Sequence, residues 1–413
     1  MTAKYIPDIN PEDYNYDLPQ ERIAKYPLPD RSDSRLLVAK AASGELSHHI
    51  FKELPDLLPE NSLVIVNSTK VISARIFLKK PTGGKAELLC VDPLEPSTDP
   101  QAALQAKNTC RWKCVVGGRK IDPGLILIPS NHPEGLMFEA EILSRESNNA
   151  KVEFRWLPED KSFAEILEIM GTTPLPPYIK REAEESDKST YQTVYAKSDG
   201  SVAAPTAGLH FTDEVTDCFK NKEIRMGEVI LHVGPGTFKP IETDSVREHD
   251  MHREKIFVTR EIIENLIYNF DAENTIIATG TTTLRVLESV YWFGVKLMKG
   301  ENPDELFIDQ NEPYYFSANT ELPSPKGSLQ AVLSWMEDKS RQFLTGQTQL
   351  FIVPGYKFHM IDGLITNYHM PKSTLILLVA AFLGDDLWRQ VYEEALATDY
   401  RFLSYGDASL LMR

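Results

Sequence analysis

A chain of 413 residues with a formal charge of −16 and a pI near 5.1 is long enough for two or three domains, and its acidity argues against non-specific attachment to nucleic acid. The N-terminal stretch has no apolar signal-peptide core and no apolar run reaches bilayer length, so a cytoplasmic protein is expected. Cys90, Cys110, Cys114 and Cys218 show no paired spacing, which predicts neither a disulfide framework nor a bound metal.

In chain order, RLLVA at 35–39 and SLVIVN at 62–67 read as buried strands. From 72 to 157 the texture changes to short alternating strands such as AELLCV, RWKCVV and AKVEFRWL, separated by Gly, Pro and Asn, which predicts a small β-barrel or sandwich. Beyond it, helical and strand patterns alternate: FAEILEIMG, EVTDCFKNK, GEVILHV, REIIENLIYNF, NTIIATG, TTLRVLESVYWF. The expected architecture is therefore α/β, a mostly parallel sheet domain (1–71 and 158–413) with an inserted small β-barrel domain at 72–157. Within the α/β part lies the stretch 290–344. It is too rich in aromatics (Tyr291, Trp292, Phe293, Tyr314, Tyr315, Phe316, Trp335) for a solvated loop, which predicts that it packs. STLILLVAAFLG at 373–384 reads as a buried helix.

Charge is unevenly spread. Ten basic residues against four acidic ones lie between 69 and 120, among them Lys79, Lys80, Lys85, Arg119 and Lys120. A basic module on an acidic chain suits docking of one specific polyanion.

Three loops share one grammar: the end of a strand, then small or hydroxyl residues, then a helix or turn. They are HVGPGTF (His232, Gly234, Gly236, Thr237), ATGTTTLRVLES (Thr281, Thr282, Arg285) and TNYHMPKST (Asn367, His369); beside them AAPTAGLHFT (Thr206, Gly208, His210) reads as a loop running into a helix. In parallel sheets such strand ends converge on one crevice. Their histidines, together with His249 and His252 of EHDMHRE, suit acid–base work or ligand binding better than metal ligation, because no third ligand follows at zinc spacing. His48, His49 and His132 read as surface residues. No P-loop, GxGxxG or GxSxG motif is present, which withdraws support from nucleotide hydrolysis, NAD chemistry and a serine hydrolase.

These blocks, with YDLPQERIAKYPLPDRSDSRLL, LPLPPYIKR, YQTVYA, IDGLITNYHMPKSTL and YRFLSYGDA, occur in the order found in the S-adenosylmethionine:tRNA ribosyltransferase-isomerase family of queuosine biosynthesis, which the chain resembles from about 14 to 411. The resemblance implies an α/β domain with an inserted barrel. It also implies transfer and isomerisation of the ribosyl moiety of S-adenosylmethionine onto 7-aminomethyl-7-deazaguanine in tRNA. Epoxyqueuosine-tRNA forms, and adenine and methionine leave. On this reading S-adenosylmethionine is a co-substrate, and no metal is needed. His210, His232, His252 and His369 would be catalytic. Thr206, Gly208, Gly234, Gly236, Thr237, Thr281, Thr282, Arg285, Asn367, Tyr405 and Asp407 would line the substrate site, and Lys79, Lys80, Lys85, Arg119, Lys120, Lys180 and Arg181 would meet tRNA. Ser68 and Ser73 stand where the family usually carries Asp or Asn, and Pro. A paralogue acting on another acceptor, or a non-catalytic RNA-binding protein, are the alternatives; a monomer or homodimer is expected.

Overall fold

The computed structural model describes residues 5–131, 133–238 and 240–413; His132 lies outside the described residues. The chain divides into two units. One runs to Ser68 and takes in Thr193–Ala196 and Pro205–Arg413; the other comprises Thr69–Gln192 and Lys197–Ala204.

The first unit is built on a ten-stranded sheet. Its order is Leu306–Ile308, Phe343–Thr348, Glu254–Thr259, Arg225–Leu231, Leu63–Asn67, Ile276–Thr279, Gly363–Asn367, Ala408–Met412, Arg35–Lys40, Glu45–Ile50. The four strands from Arg225–Leu231 to Gly363–Asn367 all run parallel. Three of them, LVIVN, IIAT and GLITN, are buried at every position, as strands covered on both faces must be. Around them lie helices with side-chain N-caps: Thr212 before Asp213–Asn221, Thr259 before Arg260–Asp271, Ser324 before Pro325–Asp338 and Ser373 before Thr374–Leu383. Each cap oxygen takes up a backbone N–H that the first helical turn leaves unpaired.

The helix Thr281–Met298 is buried from Thr281 to Lys296. It opens at Gly280, whose φ of +87° is a conformation that L side chains rarely adopt, so the chain turns sharply from strand into helix there. Tyr291, Trp292 and Phe293 continue this helix. Phe293 meets Trp335 edge-on at 5.1 Å, and Trp292 stacks with Phe316 at 6.3 Å. Most aromatics of 290–344 are thus spent on packing within the first unit, while Tyr315 is 42% exposed.

In the second unit, six antiparallel strands close on themselves: Arg75–Lys79, Lys85–Glu95, Thr109–Gly117, Asn149–Leu157, Met137–Glu146 and Ile126–Pro129, the last pairing back onto the first through Leu78 with Pro129 and Lys79 with Ile128. Alternation along Thr109–Gly117 sends Cys110, Trp112, Cys114 and Val116 inward. The helix Phe163–Met170, opened by a reciprocal Ser162–Glu165 capping box, joins this core; Phe163 lies 5.2–5.6 Å from the rings of Trp112, Phe154 and Trp156. That packing draws residues beyond 157 into the unit, which extends past the 72–157 span that strand texture suggests. Cys90, Cys110 and Cys114 are buried free thiols of this core. No helix of the described residues is long and apolar enough to cross a membrane.

Candidate active site

The four parallel strands deliver their C-terminal ends to one edge of the sheet. Asn67 ends one strand, and its amide Nδ2 donates to Leu231 O at 2.9 Å and to Thr282 Oγ1 at 3.4 Å, while its Oδ1 accepts Leu231 N at 3.1 Å. One side chain thereby ties the start of the 232–238 loop to the first turn of the helix Thr281–Met298. Gly280 N donates to Ile365 O at 2.7 Å, and a Cβ on Gly280 would stand 3.7 Å from Ala207 Cβ. The loops at 206–210, 232–238, 280–285 and 367–369 therefore meet, as parallel-sheet geometry dictates. The helix that starts here has no side-chain N-cap, so its first-turn N–H groups point to this edge unsatisfied by a cap.

Thr206–His210 forms a 3-10 turn that buries His210 to 3% exposure. The Nδ1 of His210 lies 2.7 Å from Ser34 Oγ, and its ring lies 5.1 Å from that of Phe51. Burial, with smaller contributions from Arg401 and Arg31, pushes this imidazole down to about 3, against a smaller opposing effect of Asn367, so it is uncharged at neutral pH. Its Nε2 has no hydrogen-bond partner among the described residues, and neither has Asn367 Oδ1. The Asn367 amide is fixed by donation from Nδ2 to Leu403 O at 3.0 Å, which leaves the oxygen open. Buried polar atoms without a partner are costly, and structures keep them chiefly where a water or ligand supplies one.

A second cluster sits on the neighbouring loops. Glu254, at the start of its strand, is 1% exposed and pairs with the Nη1 of Arg285, which is 4% exposed. Burial would raise the Glu254 carboxyl, but Arg285 and then His252 outweigh it and hold it down to about 2. His252 brings Nε2 to 3.3 Å from Glu254 Oε1, and Thr237 Oγ1 donates to the same oxygen at 3.3 Å. Arg285 Nε donates to Leu350 O at 3.0 Å, while its Nη2 is buried without a partner among the described residues. The Arg285 partner is thus Glu254. Glu288 accepts His359 N, Met360 N and Tyr356 OH, and burial pushes it up to about 7. Gly236 lies flat on the His252 ring: a Cβ there would come within 2.9 Å of Nδ1.

The other expected residues are placed differently. His232 is half-buried with its ring 5.6 Å from Phe257. His369 turns Nε2 onto Thr366 Oγ1 at 2.9 Å, and burial pushes it down to about 3. Asp407 is buried and accepts Arg35 N and Arg401 N, so its carboxylate is committed to the backbone. Tyr405 is buried. Gly208 packs against Tyr195, and Gly234 lies in open space. His249 and His252 gather no third ligand; no group of three or more His, Cys, Asp or Glu among the described residues could hold a metal.

On the barrel, Lys79 and Lys85 are register partners across a turn, and Lys80 Nζ donates to Arg119 O at 2.9 Å. Lys79, Lys80, Lys85, Arg119 and Lys120 thereby gather at one end. By contrast Lys70, Arg75, Arg111 and Lys113 are paired with Asp199, Glu87, Glu95 and Glu153, and Asp92. Lys180 is exposed, whereas Arg181 is held in a two-pronged pair with buried Asp187 at 2.6 and 2.7 Å. Its guanidinium is a structural brace, which corrects the expectation that it faces a polyanion.

Comparison with known proteins gives these loops their context. A family model described as queuosine biosynthesis protein matches residues 11–411. The chain belongs to this family. It is 36% identical over 403 residues to the S-adenosylmethionine:tRNA ribosyltransferase-isomerase of Natranaerobius thermophilus, covering 97% of the chain and 98% of that relative. It is 38% identical over 404 residues to the protein of the same name from Carboxydothermus hydrogenoformans, with 97% and 99% covered. A crystal structure of S-adenosylmethionine tRNA ribosyltransferase from Thermotoga maritima is 27% identical, covers 97% of this chain and 100% of that one, and has a TM-score of 0.46. Within the family motifs, the sequence passes over Ser34, Asn67 and Glu254. Ser34 lies in the conspicuous DRSDSRLL block, but nothing local signals that it reaches His210, 176 residues on.

Proposed function

We propose that this family member transfers and isomerises the ribosyl moiety of S-adenosylmethionine onto 7-aminomethyl-7-deazaguanine in tRNA, giving epoxyqueuosine-tRNA and releasing adenine and methionine. The full-length family match carries the reading. The convergence of the motif loops on one sheet edge supports the site within it. There the uncharged His210 and the open Asn367 oxygen would face the ribose of the sulfonium co-substrate, and the uncapped turn at Thr281 and Thr282 would offer backbone N–H groups to its polar atoms. Thr206, Gly208, Gly234, Gly236 and Thr237 would shape the walls. The committed contacts of His369, Asp407 and Arg285 give them supporting roles. At the barrel, the five gathered cations and Lys180 would meet tRNA phosphates. The enzyme would work in the cytoplasm.

The test uses S-adenosylmethionine labelled in the ribose or in the methyl group, with precursor-bearing tRNA. Ribose label should enter tRNA while methyl label remains in solution as methionine. Methyl label in tRNA, or no ribose label there, would overturn the reading.

A further inference from the structure

Resting on that reading, we propose that His252 is the general base of the reaction and that Glu254, clamped by Arg285 and Thr237, is the positioning residue that fixes its orientation. The geometry is that of a base oriented by a buried carboxylate. Glu254 Oε1 lies 3.3 Å from His252 Nε2, so Nε2 carries the ring hydrogen and Nδ1 keeps its lone pair. The carboxylate cannot swing: its other oxygen is held by Arg285, and Thr237 donates to Oε1 from a third element.

The imidazole side chain of His252 is partly exposed and can be reached from the loop edge, whereas His210 and His369 are buried residues. A base held near 3, as those two are, is also a poor acceptor of a carbon-bound proton. Among the described residues, the titratable and charged groups that act on His252 or on its partner Glu254 are Glu254, Arg285 and His249, with Asp250 acting on His249. Arg253 turns away over Phe307, and Thr348, opposite Glu254, is uncharged.

In the step assigned to it, a C5′–H bond next to the sulfonium breaks and the proton bonds to His252 Nδ1. The electron pair stays on carbon beside the positive sulfur, and the imidazolium is stabilised by Glu254. No oxidant or other co-reactant is required.

Two measurements test this. In 15N spectra of histidine-labelled free protein, His252 should be the Nε2–H tautomer, and Glu254→Gln should mix the tautomers; a wild-type Nδ1–H form overturns the proposal. In turnover, His252→Gln, which strands no buried charge, should lower kcat at least 100-fold with KM for S-adenosylmethionine within threefold. Glu254→Gln should lower kcat in the same way, with partial rescue by Glu254→Asp. Adenine release by wild type together with near-normal kcat in His252→Gln sinks this assignment alone. No adenine release by wild type sinks it along with the functional reading.

Discussion

Replacing Lys79, Lys80 and Arg119 by glutamine should weaken tRNA binding in a way that only salt reveals fully. None of the three has an acidic partner within ion-pair distance among the described residues, so their charge is available to a ligand rather than spent internally. Each phosphate contact releases condensed counterion and contributes about 0.7–0.9 to the slope of log K against log salt, so three lost contacts should flatten it by roughly 2–3. At about 0.1 M salt the same loss corresponds to roughly 100- to 500-fold in affinity, converging toward wild type near 1 M. All three side chains are at least partly exposed, so folding should be preserved. Filter binding or fluorescence anisotropy with labelled tRNA between about 0.05 and 0.5 M salt measures the slope, with S-adenosylmethionine affinity as the control. An unchanged slope would refute the reasoning and place the polyanion elsewhere.

Arg181→Gln should behave oppositely: it strands the buried Asp187 carboxylate and should destabilise the protein by about 3–5 kcal/mol, seen as an early denaturant transition, whereas Lys180→Gln should leave stability unchanged. Stability should also fall as pH drops below 6.5. His210 and His369 have folded values near 3 against an ordinary 6.5, so the unfolded chain binds more protons in that window. Each contributes a loss of up to about 1.4 kcal/mol per pH unit; urea midpoints from pH 7 to 5 measure it, and a flat profile would show that these rings are not closed off. Gly236→Val should push the His252 ring out of place and lower kcat at least tenfold with little change in Tm; unchanged turnover would mean that the loop yields without moving the imidazole.

What could be read beforehand follows from how local each signal is. Leu63–Asn67 announces itself as an apolar run, and Thr109–Gly117 by strict alternation, because burial on two faces or one writes directly into periodicity. The turn into the helix at Thr281 is legible from Gly280 and the hydroxyl run after it. Glu254 is not: at the head of EKIFVT it reads as a solvated strand end, and only Arg285, 31 residues later, makes it a buried anion. Arg181 misleads for the same reason. Lys180 beside it suggests a surface, yet the carboxylate of Asp187, six residues on, holds its guanidinium. Charge is visible in a sequence, but whether it is spent on a partner is a tertiary fact.

The most direct test of the central claim is release of free adenine, followed by chromatography, when the protein is incubated with S-adenosylmethionine and tRNA carrying 7-aminomethyl-7-deazaguanine. Adenine and methionine should appear in equal amounts, one each per epoxyqueuosine formed, and only with the precursor-bearing tRNA. Tight tRNA binding with no adenine released, or adenine released equally with tRNA lacking the precursor, would contradict the account.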